Sequence, residues 1–181
     1  MKIVAILLYI FSLPMLSACS TYTIDRYSMN VDNNQAIKQI LRDKKIAVDD
    51  FTSNEVKSSI ICRGAGPVVV PDGKIFAQYI RKALVDELMM AGNYDSGSNI
   101  RISGVLKKVD FSSNSGTWYI TITINSNKII SFDVTEEYDY RTAYFGETAC
   151  MDTARAFLPA TQNLIHKIIN HSDFLKIIQS Q

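Results

Sequence analysis

An alternating pattern in residues 117–140 constrains the fold more than any other feature of the chain. Within 117–125, every second residue from Trp118 to Ile124 is apolar, and within 128–140 the alternation returns at Ile130, Phe132 and Val134. A period of two is typical of a β-strand with one buried face. We expect these segments to form a hairpin with a tight turn at 126–127. The polar alternate positions predict that the other face contacts water.

Two further strands are predicted before the hairpin. Residues 45–51 form a compact segment in which Ile46 and Val48 alternate with Ala47, and we expect it to be the first strand of the domain. In 99–111, Ile102 and Leu106 share one parity, whereas Val109 and Phe111 have the other. This change of face predicts a β-bulge near residues 107–108.

Helical spacing occurs in three segments. Residues 74–91 carry apolar side chains three and four apart, with Asp72 as the expected cap and Gly92 as the expected end. Residues 147–170 repeat this spacing, and we expect Pro159 to kink or divide that helix. A short helix is expected after Asn33 or Asn34. Residues 52–73, rich in Gly and Pro, are predicted to be a long connection.

The order of these elements predicts the fold class. It is (α)-β-α-β-β-β-α, and it indicates an α+β fold in which an antiparallel sheet of about four strands is packed on one face by two main helices. The chain has 181 residues, enough for one domain with a substantial core. We place that single domain at residues 36–178.

The first 18 residues are typical of a secretory signal peptide. A positive start at Lys2 precedes an apolar run over 3–11, and small residues follow before Cys19. Roughly 20 apolar residues are needed to span a bilayer, so this run is too short for a transmembrane helix. The alternatives are an ordinary cleaved signal with a coincidental cysteine and a buried N-terminal helix.

The four residues Leu16-Ser17-Ala18-Cys19 resemble the lipobox of bacterial lipoproteins. The resemblance implies that cleavage leaves Cys19 as the lipidated N-terminus, with a thioether-linked diacylglycerol and an amide-linked chain such as palmitate. Several acyl chains together hold a protein stably on a membrane. Position 20 is Ser and not the Asp that retains many such proteins in the inner membrane. We therefore expect attachment to the outer membrane, facing the periplasm, with residues 19–35 as the lipidated end and a flexible tether.

The charge of the mature chain limits its partners. Removal of residues 1–18 would leave 163 residues with 18 basic and 18 acidic side chains. A nucleic-acid-binding protein depends on a basic face, so a nucleic-acid partner is not expected. A neutral chain also has no polybasic patch for anionic lipids, and the membrane connection is therefore expected to be covalent.

Two cysteines remain once Cys19 is assigned to lipid. The periplasm is oxidising, so we expect a disulfide between Cys62 and Cys150. Two buried free thiols are one alternative, and a reactive redox pair is another, although no C-x-x-C motif accompanies them.

Catalytic, metal and cofactor sites are not predicted. His166 and His171 are five residues apart, so they point in different directions on a helix and are expected to face solvent without sharing a metal. The carboxylate pairs at 49–50 and 136–137 are expected to be surface charges. The Gly-x-Gly of 62–67 lacks the Lys-Ser or Lys-Thr of a P-loop, and we interpret it as a turn near Cys150, with a phosphate cradle as the alternative.

Aromatic residues are concentrated near the hairpin. Tyr and Trp are enriched in protein interfaces, and we regard five of them as a candidate contact surface, with core packing as the alternative. They are Trp118, Tyr119, Tyr138, Tyr140 and Tyr144, and Phe145 lies beside them.

The stretch 62–67, followed by Asp72-Gly73-Lys74, resembles an uncharacterised group of small α/β envelope lipoproteins of proteobacteria. A looser similarity exists to accessory lipoproteins of outer-membrane secretion and assembly machines. The expected function is a non-enzymatic structural or accessory role in contact with another envelope protein. A glycan- or peptidoglycan-binding module that uses Trp118 is the alternative, and an envelope hydrolase or thiol oxidoreductase is a third. The sequence predicts no oligomeric state.

Overall fold

The computed structural model describes residues 20–179, and the predicted signal peptide and Cys19 lie outside them. A four-stranded sheet is formed by β2 (Ala47–Ser53), β5 (Arg101–Ser112), β6 (Thr117–Ser126) and β7 (Ser131–Asp139) in the order β2-β5-β6-β7. The pairs β5–β6 and β6–β7 are antiparallel, whereas β2 and β5 are parallel. The predicted α+β class is confirmed, in a mostly antiparallel form.

The β5–β6 and β6–β7 hairpins agree with the prediction, except for the turn between β6 and β7. The register of β5 on β6 shifts between Leu106 and Lys108, which confirms the predicted bulge. The turn between β6 and β7 is longer than the predicted 126–127 turn, because the amide of Ser126 donates to the carbonyl of Ile130 at 2.9 Å. Ile129 lies at its tip with a φ of 66° and is fully exposed.

The first two helices begin at other residues than predicted. Helix α1 (Val31–Leu41) is capped by Asn30, whose side-chain oxygen accepts from the amide of Asp32 at 2.8 Å. Helix α2 (Phe76–Ala91) begins after Ile75, and Asp72 instead lies in a short 3-10 turn, Pro71–Gly73. The predicted caps were therefore wrong. The predicted end of α2 at Gly92 is confirmed, with a left-handed φ of 79°.

The C-terminal part of the domain contains two helices. Helix α3 (Gly146–Ile169) is continuous through Pro159, so the proline does not divide it. Buried residues on both sides of the proline, such as Phe157 and Leu164, pack α3 on the core and offset the lost backbone hydrogen bond. Helix α4 (Ser172–Gln179) was not predicted separately, although Phe174 and Ile177 are buried.

A second, three-stranded sheet replaces most of the predicted long connection over 52–73. It consists of β1 (Tyr22–Thr23), β3 (Ser59–Cys62) and β4 (Gly66–Val69) in the order β1-β4-β3. The core lies between the sheets and helices α2 and α3, where the rings of Trp118 and Phe157 have centroids 4.7 Å apart. Within residues 20–179, no helix is long and apolar enough to cross a membrane.

Candidate functional site

The segment from residue 20 to residue 30 is part of the folded domain. Tyr22 and Thr23 pair in parallel with β4, and the amide of Ile24 donates to the carbonyl of Val69 at 2.9 Å. Tyr22 and Ile24 are buried because they add an apolar edge to the second sheet. The flexible tether predicted for residues 19–35 is therefore wrong for residues 20–35, and Cys19 lies outside the described residues.

Side chains of α2 form hydrogen bonds with residues 25–30 of the same segment. The buried carboxylate of Glu87 accepts hydrogen bonds from the hydroxyl of Tyr27 at 2.6 Å and from the amide of Asn30 at 2.7 Å. The hydroxyl of Tyr79 donates to the carbonyl of Asp25 at 2.8 Å. Burial, together with the Glu87 carboxylate, raises the pKa of Tyr27 well above its usual range. The segment is therefore fixed to the domain along its length.

Gly66 allows the chain at Ser20 to approach the β3–β4 turn closely. Gly66 has a φ of +148°, and a Cβ built on it would lie 1.8 Å from the carbonyl oxygen of Ser20. Only glycine avoids this overlap. The Gly-x-Gly stretch thus makes room for backbone, which favours the turn interpretation over the phosphate cradle.

A loop before α3 is attached to the same turn by Arg63. The Arg63 guanidinium donates to the carbonyl oxygens of Ala143 at 3.3 Å and Tyr144 at 3.0 Å, and to the hydroxyl of Ser113 at 3.0 Å. Tyr144 and Phe145 in this loop are 93% and 75% exposed. We call the group of Ser20, Arg63, Gly66, Tyr144 and Phe145 the aromatic corner.

A disulfide braces the aromatic corner from inside. Cys62 and Cys150 are bonded, with their Cα atoms 5.8 Å apart, which confirms the predicted pair. The bond joins the end of β3 to the first turns of α3, and both residues are buried. A thiol oxidoreductase needs an accessible sulfur, so the structure gives no support to that alternative.

Trp118 does not belong to any contact surface. Its side chain is fully buried, and its indole N–H donates to the carbonyl of Thr153 at 2.8 Å. The prediction that Trp118 contributes to a contact surface was therefore wrong, and the glycan-binding alternative loses its main stacking residue. The reason is its position on the inward face of β6, where it packs on α3.

The tyrosines of the predicted surface are divided among different places. Tyr140 is half-buried, and its hydroxyl lies 2.7 Å from that of Thr153. Tyr138 is half-buried opposite Trp118 in the β6–β7 register. Tyr119 lies on the other face of the sheet, with the ammonium of Lys108 over its ring at 5.1 Å. Of the five residues, only Tyr144 lies in the aromatic corner.

We call the face of the four-stranded sheet that carries Tyr119, Thr121, Thr123, Asp133 and Thr135 the open sheet face. Its polar side chains form hydrogen bonds with each other. The hydroxyls of Thr121 and Thr135 are 3.1 Å apart, and the hydroxyl of Thr123 donates to Asp133 at 2.6 Å. The hydrogen bonds from Thr123 and from Lys107 hold the pKa of Asp133 below its usual value. These contacts order the face, and every side chain in them is half-exposed or exposed.

The two histidines make separate contacts in the fold. His166 is exposed, with Nδ1 3.2 Å from the side-chain oxygen of Asn33, and His171 is half-exposed and stacks on Phe132 at 4.2 Å. Within the described part of the chain, no three side chains of His, Cys, Asp and Glu are grouped to hold a metal.

The carboxylate predictions hold only in part. Asp49 pairs with Arg101 at the surface, and Asp50 and Glu137 are exposed. Glu136 is 2% exposed, and its carboxylate lies 2.8 Å from the ammonium of Lys167. The prediction that Glu136 is a surface charge was therefore wrong, because it shares the inward parity of Val134.

A shallow cleft lies beside the N-terminal segment. Its volume is about 260 Å³, and its lining includes Arg26, Lys74 and Lys82. Two of these cations already have partners, since Arg26 lies 2.7 Å from Asp72 and Lys82 lies 2.5 Å from Asp86. The cleft therefore has little charge left over for an anionic ligand.

Comparison with known proteins gives a likeness of fold. No family model and no curated protein matches the chain. The fold resembles the crystal structure of a DUF330 protein from Xanthomonas campestris, with a TM-score of 0.52 and 10% sequence identity. The likeness covers 90% of this chain and 99% of that one. At this identity the likeness shows a shared fold.

Proposed function

We propose that the protein is a lipid-anchored outer-membrane lipoprotein with a non-enzymatic, structural or accessory role in an envelope assembly. One observation supports this most directly. The lipobox cysteine adjoins Ser20, and Ser20 already contacts the folded domain at Gly66. Lipid on Cys19 would therefore be joined to the domain itself, which suits a protein that holds a fixed position at a membrane.

The open sheet face is the surface we assign to the partner protein. It is broad, since β7 alone has nine residues and would extend about 30 Å at 3.3 Å per residue. Its side chains are ordered by the Thr121–Thr135 contact and by the Lys107–Asp133 ion pair at 2.9 Å. An ordered surface loses little conformational entropy on binding.

The anchor is tested by metabolic labelling. Cells fed labelled palmitate should incorporate it into the wild-type protein, and the Cys19→Ala variant should incorporate none. Thr21→Ala is the matched control, because Thr21 is exposed and lies outside the lipobox. Absence of label from the wild type would refute the lipid anchor.

The partner surface is tested by photo-crosslinking in intact cells. A photoreactive amino acid at Thr121, on the open sheet face, should give a discrete adduct with another envelope protein. The same amino acid at the exposed Lys38 of α1 should give none. If both positions behave alike, the open sheet face is not the contact surface.

A further inference from the structure

The aromatic corner is the part of the domain nearest to the predicted lipid. Consecutive Cα atoms are about 3.8 Å apart, so the acyl chains on Cys19 would begin within one residue of Ser20. The close contact of Ser20 with Gly66 places that point against the β3–β4 turn. Arg63 in this turn holds the loop that carries Tyr144 and Phe145.

The folded N-terminal segment keeps this corner close to the predicted lipid. Pairing with β4 begins at Tyr22, and Glu87 holds both Tyr27 and Asn30. A long flexible linker would let the domain sample every orientation. Here the covalent lipid and the folded body are adjacent, so the aromatic corner would lie close to the headgroups.

The exposed side chains of the corner have the chemistry of a membrane interface. The rings of Tyr144 and Phe145 are edge to face, with centroids 5.8 Å apart. Aromatic side chains are enriched where the headgroups meet the acyl chains. The exposed Arg141 precedes Tyr144 by three residues in the sequence, and a guanidinium is suited to lipid phosphates. Exposure of two neighbouring aromatic rings to water is unfavourable, and their transfer into that layer is favourable.

From this geometry we propose that Tyr144 and Phe145 insert into the interfacial layer of the lipid bilayer as a second attachment point, and orient the domain on the membrane. This inference rests on the proposed lipid anchor at Cys19. The lipid alone defines one point of attachment, about which the domain could still rotate. A second contact would fix the orientation of the domain, and with it the direction in which the open sheet face points relative to the membrane.

The test uses the full lipidated protein in vesicles of phosphatidylethanolamine and phosphatidylglycerol. Tyr144→Trp places an indole in the corner, and Ile129→Trp is the matched control. Both positions are highly exposed, and Ile129 is at the far end of the β6–β7 hairpin. Native Trp118 is buried and supplies a constant background. The measurement is quenching of fluorescence by lipids brominated near the headgroup end of their chains.

We expect brominated lipid to remove more than half of the emission added by Tyr144→Trp and almost none of that added by Ile129→Trp. Adding Phe145→Ser to Tyr144→Trp should reduce the quenching, because the rings insert together. Mass spectrometry of the N-terminal peptide and co-flotation with the vesicles measure the lipid anchor separately. Lipidated protein that floats but shows equal quenching at both positions overturns the inference and leaves the proposed anchor intact. Protein without lipid on Cys19 overturns both.

Discussion

The carbonyl oxygen of Ser20 occupies space that a side chain on Gly66 would need, since a Cβ built there would lie 1.8 Å from it. We expect Gly66→Ala to lower the free energy of unfolding by about 2–3 kcal/mol, because the new methyl group displaces the segment before β1 and strains the backbone. The measurement is the urea midpoint.

Gly64→Ala is the control for this substitution. Gly64 lies in the same turn with a φ of +69°, and nothing lies within 4 Å of its built Cβ. Gly64→Ala should therefore lower the free energy of unfolding by only about 1 kcal/mol, which is the backbone penalty alone. Equal losses in the two variants would contradict the close contact between Ser20 and Gly66.

Loss of the disulfide should destabilise the domain strongly. The bond links residues 88 apart, and we expect the double variant Cys62→Ala with Cys150→Ala to lose about 2–5 kcal/mol. Wild-type protein unfolded in dithiothreitol should show a similar loss. The double variant should not respond to the reductant, and a response would mean that a different bond carries the effect.

The half-buried Tyr27 and the buried Tyr79 should make the domain sensitive to high pH. Burial raises the pKa of both Tyr27 and Tyr79, whereas unfolded tyrosine ionises near about pH 10. Below that pH, both states are protonated and the stability is constant. Above it, the unfolded state releases protons that the folded state retains, so the free energy of unfolding should fall as pH rises.

Tyr27→Phe should make this alkaline decline less steep, since one such proton is removed. The wild-type chain is the comparison. Urea titrations at several pH values measure both slopes. An identical slope in the Tyr27→Phe variant would show that Tyr27 ionises as freely in the folded state as in the unfolded one.

Trp118 should behave as a core residue in solution. Its emission should be blue-shifted and resistant to acrylamide in the folded protein, and accessible after unfolding. Trp118→Phe removes the hydrogen bond to Thr153 and leaves a void, so we expect a loss of about 1–3 kcal/mol. Strong quenching of the folded wild type would restore Trp118 as a surface residue.

The residue after the cysteine should decide which membrane receives the protein. We expect wild type, with Ser20, in the outer-membrane fraction, and Ser20→Asp in the inner-membrane fraction. Ser20→Thr is the control, because it keeps a hydroxyl side chain. Density-gradient separation of the membranes measures the distribution, and no shift on Ser20→Asp would count against the proposed sorting.

The strongly periodic parts of the chain were predictable, and the short irregular parts were not. The alternation in 117–140 correctly predicted β6 and β7, and the parity change at Val109 predicted the bulge. Strands β3 and β4 have four residues each. They include Gly66 and Pro67, which argue for a loop when taken alone. Their pairing depends on contacts with β1 and α3 that no local pattern contains.

The candidate site shows the same limit. The alternation already gave Trp118 the parity of Ile120 and Ile122, so its burial could have been predicted. For Tyr144, the sequence shows only its aromatic character. Its neighbour Arg63 is 81 positions away in the sequence, and the two meet because Cys62 is bonded to Cys150. Long-range contacts of this kind require the fold to be known.

The pairing of β1 with β4 also governs how far the domain could range from a membrane. A domain on a long flexible linker can reach a large volume and meets its partners by diffusion within it. A domain attached directly at its own surface stays at one distance from the bilayer, and its partner must reach that distance. If Cys19 carries lipid, any complex would have to assemble within roughly one domain diameter of the bilayer.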